Sequence, residues 1–210
     1  MSISEALIGF TIVAALLTII PGLDTALVLR SSITRSKGYA FATAGGIQTG
    51  VMIWGIAAAA GASALLAVSR LGYELLSLAG AAYLVGMGVW LIVGSFRTHH
   101  GASDVPPTTG GPARGWLIGV ATNLLNPKVG VFYLATIPQF VPPGAAPLLM
   151  GMLLAAVHCV LGMAWFTGVI AGGAALGARM RAPRVVRWVD RVTGGVLLAF
   201  GAKLALDTRF

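Results

Sequence analysis

The chain has 210 residues, of which 57% are hydrophobic and only 10% charged, with a mean hydropathy of +0.89. Soluble domains carry about 25% charged residues, so this composition excludes an ordinary soluble globule. The formal net charge of +8 does not indicate nucleic acid, because the basic residues cluster in loops between apolar runs, as the positive-inside rule expects of a membrane protein. The lone Cys159 excludes an internal disulfide and a Cys-x-x-Cys redox pair; it reads as a small apolar core residue.

Residues 38–69, 75–96 and 129–178 contain no Asp, Glu, Lys or Arg. A spanning helix needs about 20 apolar residues, so the last run is long enough for more than one. Backbone polar groups in lipid must be satisfied internally, which makes these runs helices. The alternation expected of barrel strands is missing.

Six spans are predicted in chain order. The first covers residues 3 to about 29 and is interrupted at Pro21. It reads as a retained helix rather than a cleaved signal. It lacks a basic leader, carries Glu5, and runs into Pro21-Gly22-Leu23-Asp24 instead of a small-x-small site. The second covers 39–67 and the third 71–96. A polar loop follows over 97–114, with His99, His100, Asp104 and two proline-glycine clusters. The fourth span covers 115–137 and is interrupted at Pro127. Val141-Pro142-Pro143-Gly144 separates it from the fifth, 146–178, and the sixth covers 188–206.

Lys and Arg counts set the orientation. Loop one holds Arg30, Arg35 and Lys37; loop three holds Arg97 and Arg114; the fifth connection holds Arg179, Arg181, Arg184, Arg187 and Arg191. The other side has Arg70, Lys203 and Arg209. Odd loops are therefore expected in the cytoplasm and both termini outside.

The expected fold is an all-α membrane protein, a single domain of six transmembrane helices in two inverted three-helix repeats, with helices one and four broken. Repeat one is about 1–96 and repeat two about 115–210. Spans one and four each break at a proline and soon carry a charge, Asp24 or Lys128. Spans three and six place Gly80 and Gly194 in matching small-residue stretches. Inverted repeats with broken helices meeting near the midplane are a transporter pattern; the alternative is coincidence between two low-complexity apolar sequences. Gly46 and Gly50 suit close helix contact, in a compact bundle or a homodimer.

A charge at bilayer depth costs about 2.5 to 3.5 kcal/mol on insertion scales, so Asp24 and Lys128 are candidate functional residues. Proline removes a backbone donor, and Gly22 permits unusual backbone. The chain restarts after each break with free N–H groups, which favour anions. Asp24 or Thr25 at the first restart, and Asn123 or Asn126 at the second, are candidate caps. The bland readings are a helix cap for Asp24 and a snorkelling residue for Lys128. The functional reading is a zwitterion site: Asp24 holds an ammonium, while Lys128 and N–H groups hold a carboxylate. An empty site lets the two side chains pair, and a carboxylate that can take up a proton permits proton coupling. Gln48 and Thr49 in span two, Gln139 after span four and His158 in span five are the other polar residues at apolar depth. His158 reads first as an interhelical hydrogen-bond partner, and His99-His100 as a solvated loop rather than a metal site.

Pro21-Gly22-Leu23-Asp24-Thr25-Ala26-Leu27-Val28-Leu29-Arg30 resembles the PGPD-containing signature of the LysE/RhtB superfamily of amino-acid exporters, with Leu23 in place of the usual second proline. Gly45-Gly46-Ile47-Gln48-Thr49-Gly50, the stretch 78–88, Asn123-Leu124-Leu125-Asn126-Pro127-Lys128 and Pro138-Gln139-Phe140 agree as well, so the resemblance covers essentially the whole chain. It implies an inner-membrane exporter driven by proton antiport. Members export lysine, arginine, threonine, homoserine, homoserine lactone, leucine or cysteine-pathway compounds. The carried-over positions are Pro21, Gly22, Asp24, Asn123, Asn126, Pro127 and Lys128. Gln48, Thr25 and Gln139 complete the candidate substrate-binding set, and no cofactor, metal or nucleic acid is expected.

Three other readings compete. Efflux of a metal cation, known among related proteins, would want thiolate or imidazole clusters that one Cys and His158 do not supply. A membrane enzyme lacks a Cys pair, a Ser-His-Asp set or a nucleotide loop. A structural membrane subunit leaves the charged breaks unexplained.

Overall fold

The computed structural model describes residues 1–20, 22–68, 70–96, 110–180 and 182–207. Pro21, most of the 97–114 loop and the His99-His100 pair lie outside the described residues. The described chain is helical, with no strand among the described residues.

Helix α1, Ile3–Ile19, begins on a capping box: Ser2 Oγ accepts from the Glu5 backbone N–H, and Glu5 Oε2 accepts from the Ser2 N–H. Glu5 is thus a cap residue. The chain then extends at Ile20 and Gly22, and α2, Leu23–Thr34, leaves at 54° to α1. Ile20 precedes a proline and is extended (φ −63°, ψ 120°), as a residue before proline should be.

Helix α3, Lys37–Val68, starts two residues earlier than expected because Ser36 Oγ accepts from the Tyr39 N–H. Helix α4 is Arg70–Gly94. The second break repeats the first. Helix α5, Pro112–Leu124, gives way at Leu125 and Asn126, and α6, Pro127–Thr136, continues into the 3-10 turn Ile137–Phe140, at 59° to α5. Helix α7, Pro147–Met180, kinks at Gly173 (φ +47°), and α8 is Pro183–Asp207. It starts five residues before the expected sixth span, on a proline that suits a first helical turn.

Among the described residues, Lys37–Gly61 of α3 and Pro147–Gly173 of α7 are each long and apolar enough to cross a membrane, and counting each bent pair as one broken span brings the number there to four. Helices α4 and α8 have 25 residues each, about 37 Å at 1.5 Å per residue, which exceeds the roughly 30 Å of bilayer hydrocarbon. Arg184, Arg187, Asp190 and Arg191 make the first half of α8 polar. The expectation of six spans therefore rests on α4 and α8.

Glycines set the helix contacts. A Cβ on Gly46 would overlap the Trp116 carbonyl, one on Gly119 the Thr43 carbonyl, and one on Gly50 would sit 2.6 Å from Asn123 Oδ1. From Tyr39 against Gly115, through Thr43 against Gly119, to Gly50 against Asn123, the contacts rise together in number, so α3 and α5 run parallel and close. Gly46 and Gly50 are thereby used within the chain, not on a face open to a second copy. Against α7 the direction reverses: Gly55 meets Ala155, and Gly151 meets Ala59. Helices α4 and α8 are also antiparallel: a Cβ on Gly88 or Gly194 would sit 2.7 Å from the other's carbonyl, and one on Gly201 would sit 2.9 Å from the Ala81 carbonyl. Small residues let backbones approach where lipid gives no hydrophobic drive between helices.

One core joins α1, α6 and α7 through Phe10, Phe132, Tyr133, Phe140 and Leu154. A second joins α2, α3 and α7 through Val28, Ile47, Phe166 and Val169. Large apolar side chains such as Ile8, Trp90 and Val160 face outward.

Candidate functional site

Both breaks open onto one cavity of about 50 Å³. Leu17, Thr18, Ile20 and Gly22 line it from the first break. Asp24 and Thr25 come from α2, Ile47, Gln48 and Val51 from α3, and Asn123, Asn126, Lys128 and Val129 from the second break. His158, Gly162 and Phe166 of α7 close it. This volume holds a few waters and falls well short of the roughly 300 Å³ at which small-molecule pockets begin.

Asp24 does not cap its own helix. Gly22 is the N-cap of α2, and among the described residues no side-chain cap bond is made to its first turn. Asp24 Oδ2 instead accepts from Asn123 Nδ2 at 2.8 Å, across to the other half of the chain. Its Oδ1 is buried and has no partner among the described residues, and the same holds for Asn123 Oδ1 and Gln48 Oε1. The Asn123 carbonyl, near the end of α5, accepts from the Asn126 backbone N–H at 3.1 Å and also from Trp54 Nε1 at 3.4 Å.

At the second restart Asn126 is the cap, its Oδ1 accepting from the Lys128 N–H at 3.1 Å. Asn123 thus serves Asp24 rather than the restart. The Lys128 ammonium does not snorkel away. Its Nζ approaches the Leu17 carbonyl at 3.5 Å, an acceptor left free at the end of α1. Each charge therefore meets a helix end of opposite polarity, Asp24 in the first turn of α2 and Lys128 against the last turn of α1. No ion pair joins Asp24 to Lys128 among the described residues, although both line the cavity.

Of the residues singled out from sequence, Gly22, Asp24, Thr25, Gln48, Asn123, Asn126 and Lys128 come together here. Pro127 opens α6 beside them. Pro21 lies outside the described residues. Gln139 does not line the cavity: it sits in the 3-10 turn, its Nε2 donating to the Ala135 carbonyl at 2.6 Å. Thr18, Gly162 and Phe166 were not foreseen, because nothing in a run of small and apolar residues marks the ones facing a cavity. Asp190, buried in α8 between Arg187 and Arg191, was also missed. His158 behaves as expected of an interhelical partner, its Nδ1 lying 2.8 Å from the Tyr133 hydroxyl with the two rings stacked at 5.7 Å. It also lines the cavity.

Broken apolar helices around a buried cavity carrying one carboxylate and one amine define a membrane translocator. Residues 15–208 match the family model of the LysE type translocators, and the chain belongs to that family. Its members are translocators and not enzymes. The chain is 29% identical over 201 residues to a homoserine/homoserine lactone efflux protein of Salmonella typhimurium, covering 94% of each chain. It is 27% identical over 188 residues to a threonine efflux protein of Escherichia coli, covering 89% of this chain and 91% of the relative. An uncharacterized membrane protein of Bacillus subtilis is 26% identical over 209 residues, covering 97% and 100%. No solved structure matches.

Proposed function

We propose that this protein exports an amino acid or amino-acid derivative from the cytoplasm across the inner membrane, by proton antiport, through six spans in two inverted repeats. One observation carries the reading: the two charges at the two helix breaks line one cavity. The relatives named for homoserine, homoserine lactone and threonine efflux point to the same kind of cargo.

The cargo is held as a zwitterion. Its ammonium takes the free Asp24 oxygen, and its carboxylate takes Lys128 and the uncapped N–H groups that open α2. Asp24 alternates between cargo and proton, so that one carboxylate couples the two flows. The cavity widens to admit the cargo and narrows again, with α1–α2 and α5–α6 turning at their breaks.

The helix directions support the layout. Six alternating spans require the second and fourth to run the same way, and the second and fifth, like the third and sixth, to run oppositely. Helices α3 and α5, α3 and α7, and α4 and α8 do so. The excess of Lys and Arg in the odd loops puts those loops in the cytoplasm and both termini outside. A homodimer would have to use faces other than the Gly46–Gly50 one.

Purified protein in proteoliposomes, loaded with labelled amino acids, tests the reading. Export should be saturable and should speed up when the opposite compartment is made acid. Export indifferent to the pH gradient would remove the antiport step, and the absence of any amino-acid flux would remove the function. Labelling of single cysteines placed at either terminus, from one side only, tests the orientation.

A further inference from the structure

The charges account for the ends of a zwitterion but not for the polar wall opposite them. Gln48 of α3 and His158 of α7 are both buried, 8% and 6% exposed, and both line the cavity. Burying polar groups without partners is costly, so such a wall needs an occupant.

The two side chains face the cavity from two helices packed against each other. A Cβ on Gly162 would sit 2.5 Å from Gln48 Nε2, so the amide lies against α7 at Gly162. Gly162 and His158 are four residues apart, one turn along the same face of α7. The Cys159 thiol, facing the Gln48 carbonyl at 3.4 Å, ties the two helices at this level.

Their hydrogen-bonding needs are complementary. The Tyr133 hydroxyl is fully buried and its one partner among the described residues is His158 Nδ1, so its proton goes to that nitrogen. The neutral ring then carries its own proton on Nε2, a donor with no partner among the described residues. Gln48 Oε1 is an acceptor with none. A hydroxyl is the small group that accepts from one and donates to the other at once.

We infer that Gln48 and His158, with Gly162 leaving room between them, form a subsite for a hydroxyl on the cargo's side chain. The inference rests on the cavity being the cargo site. A subsite built this way selects a short hydroxylated amino acid against the isostere with a methyl in its place. Sites that hydrogen-bond a hydroxyl reject the analogue lacking it by far more than apolar pockets discriminate single methylenes.

Proteoliposome export and ligand-induced thermal stabilisation, each measured for threonine against valine and homoserine against norvaline, test this. The wild type should favour the hydroxylated member of each pair at least about tenfold. Gln48→Met, which keeps the length and removes the acceptor, should bring the ratio to near one. The paired change Tyr133→Phe with His158→Leu, which removes the ring and its partner together, should do the same. Because a ratio within one preparation is read, a lower yield of folded variant does not affect it. A wild-type ratio near one, or a ratio unchanged in both variants, would overturn the subsite and leave the export function standing; the wall would then hold only water. A wild type that neither carries nor binds any of the four would reject the export reading, and the subsite with it.

Discussion

Asn123 Nδ2 donates to Asp24 Oδ2 at 2.8 Å, joining residues 99 positions apart in sequence. The Lys128 ammonium likewise approaches the Leu17 carbonyl across the two halves, here with the charge on the donor. Each half of the chain thus supplies a charge that the other half solvates, and the two breaks are braced against each other. Any motion separating the halves must first exchange these bonds for others, and a bound zwitterion offers them.

Replacing Asn123 with Ala should destabilise the protein. Asn123 is fully buried, and its loss leaves both Asp24 oxygens without a donor at hydrogen-bond distance among the described residues. Hydrogen bonds to charged groups contribute about 1.5 to 3 kcal/mol, and a loss of that size is expected from denaturant unfolding in detergent micelles. A stability equal to that of the wild type would mean that the brace is not made.

Asp24→Asn keeps the shape and removes the charge. The expected result is a protein that inserts normally while net export falls at least about thirtyfold, the equivalent of the 2 kcal/mol at the low end for a buried charged pair that loses one partner. Flux measured on equal amounts of reconstituted protein decides it, and unchanged export would remove Asp24 from the site.

Lys128→Met should raise the cargo concentration needed for half-maximal export, because the carboxylate loses its cation. The same change should favour insertion, since it removes a charge from bilayer depth. Weaker cargo binding and undiminished membrane yield, measured on one preparation, are the paired readout. A lower yield with normal affinity would point to a purely structural lysine.

Two alanine substitutions should part company. Gly46→Ala forces a methyl into the Trp116 carbonyl, whereas Gly61→Ala meets nothing within 4 Å. Overpacking costs about 1 to 3 kcal/mol, and the Gly46 variant should lose that much. The Gly61 variant should gain a few tenths to about 1 kcal/mol from helix propensity. Thermal unfolding of the two side by side checks the sign of each.

Much of the site was legible because its signals are local. A proline after an apolar run breaks a helix wherever it stands, so the breaks at Pro21 and Pro127 could be expected from neighbours alone. Asp24 and Lys128 stood out because charge is rare in such a chain, and Asn126 could be named as a cap because capping acts over two or three residues. The Ser2–Glu5 capping box was equally local and passed unnoticed.

What could not be read is which groups meet. Asn123 and Asn126 look alike in sequence, yet one caps α6 and the other crosses to Asp24, because the packing of α5 on α3 aims them differently. Gln139 shares its neighbourhood with Lys128 but donates back to its own helix, since the 3-10 turn carries it past the cavity. Gly162 is one of 29 glycines, and only the approach of α3 makes it the one beside Gln48. By itself the sequence determined the medium, the breaks and the two charges, because solvation cost and backbone sterics act on a residue and its near neighbours. The tertiary structure alone decided the partners, because a hydrogen bond between helices depends on the angle and register at which they cross.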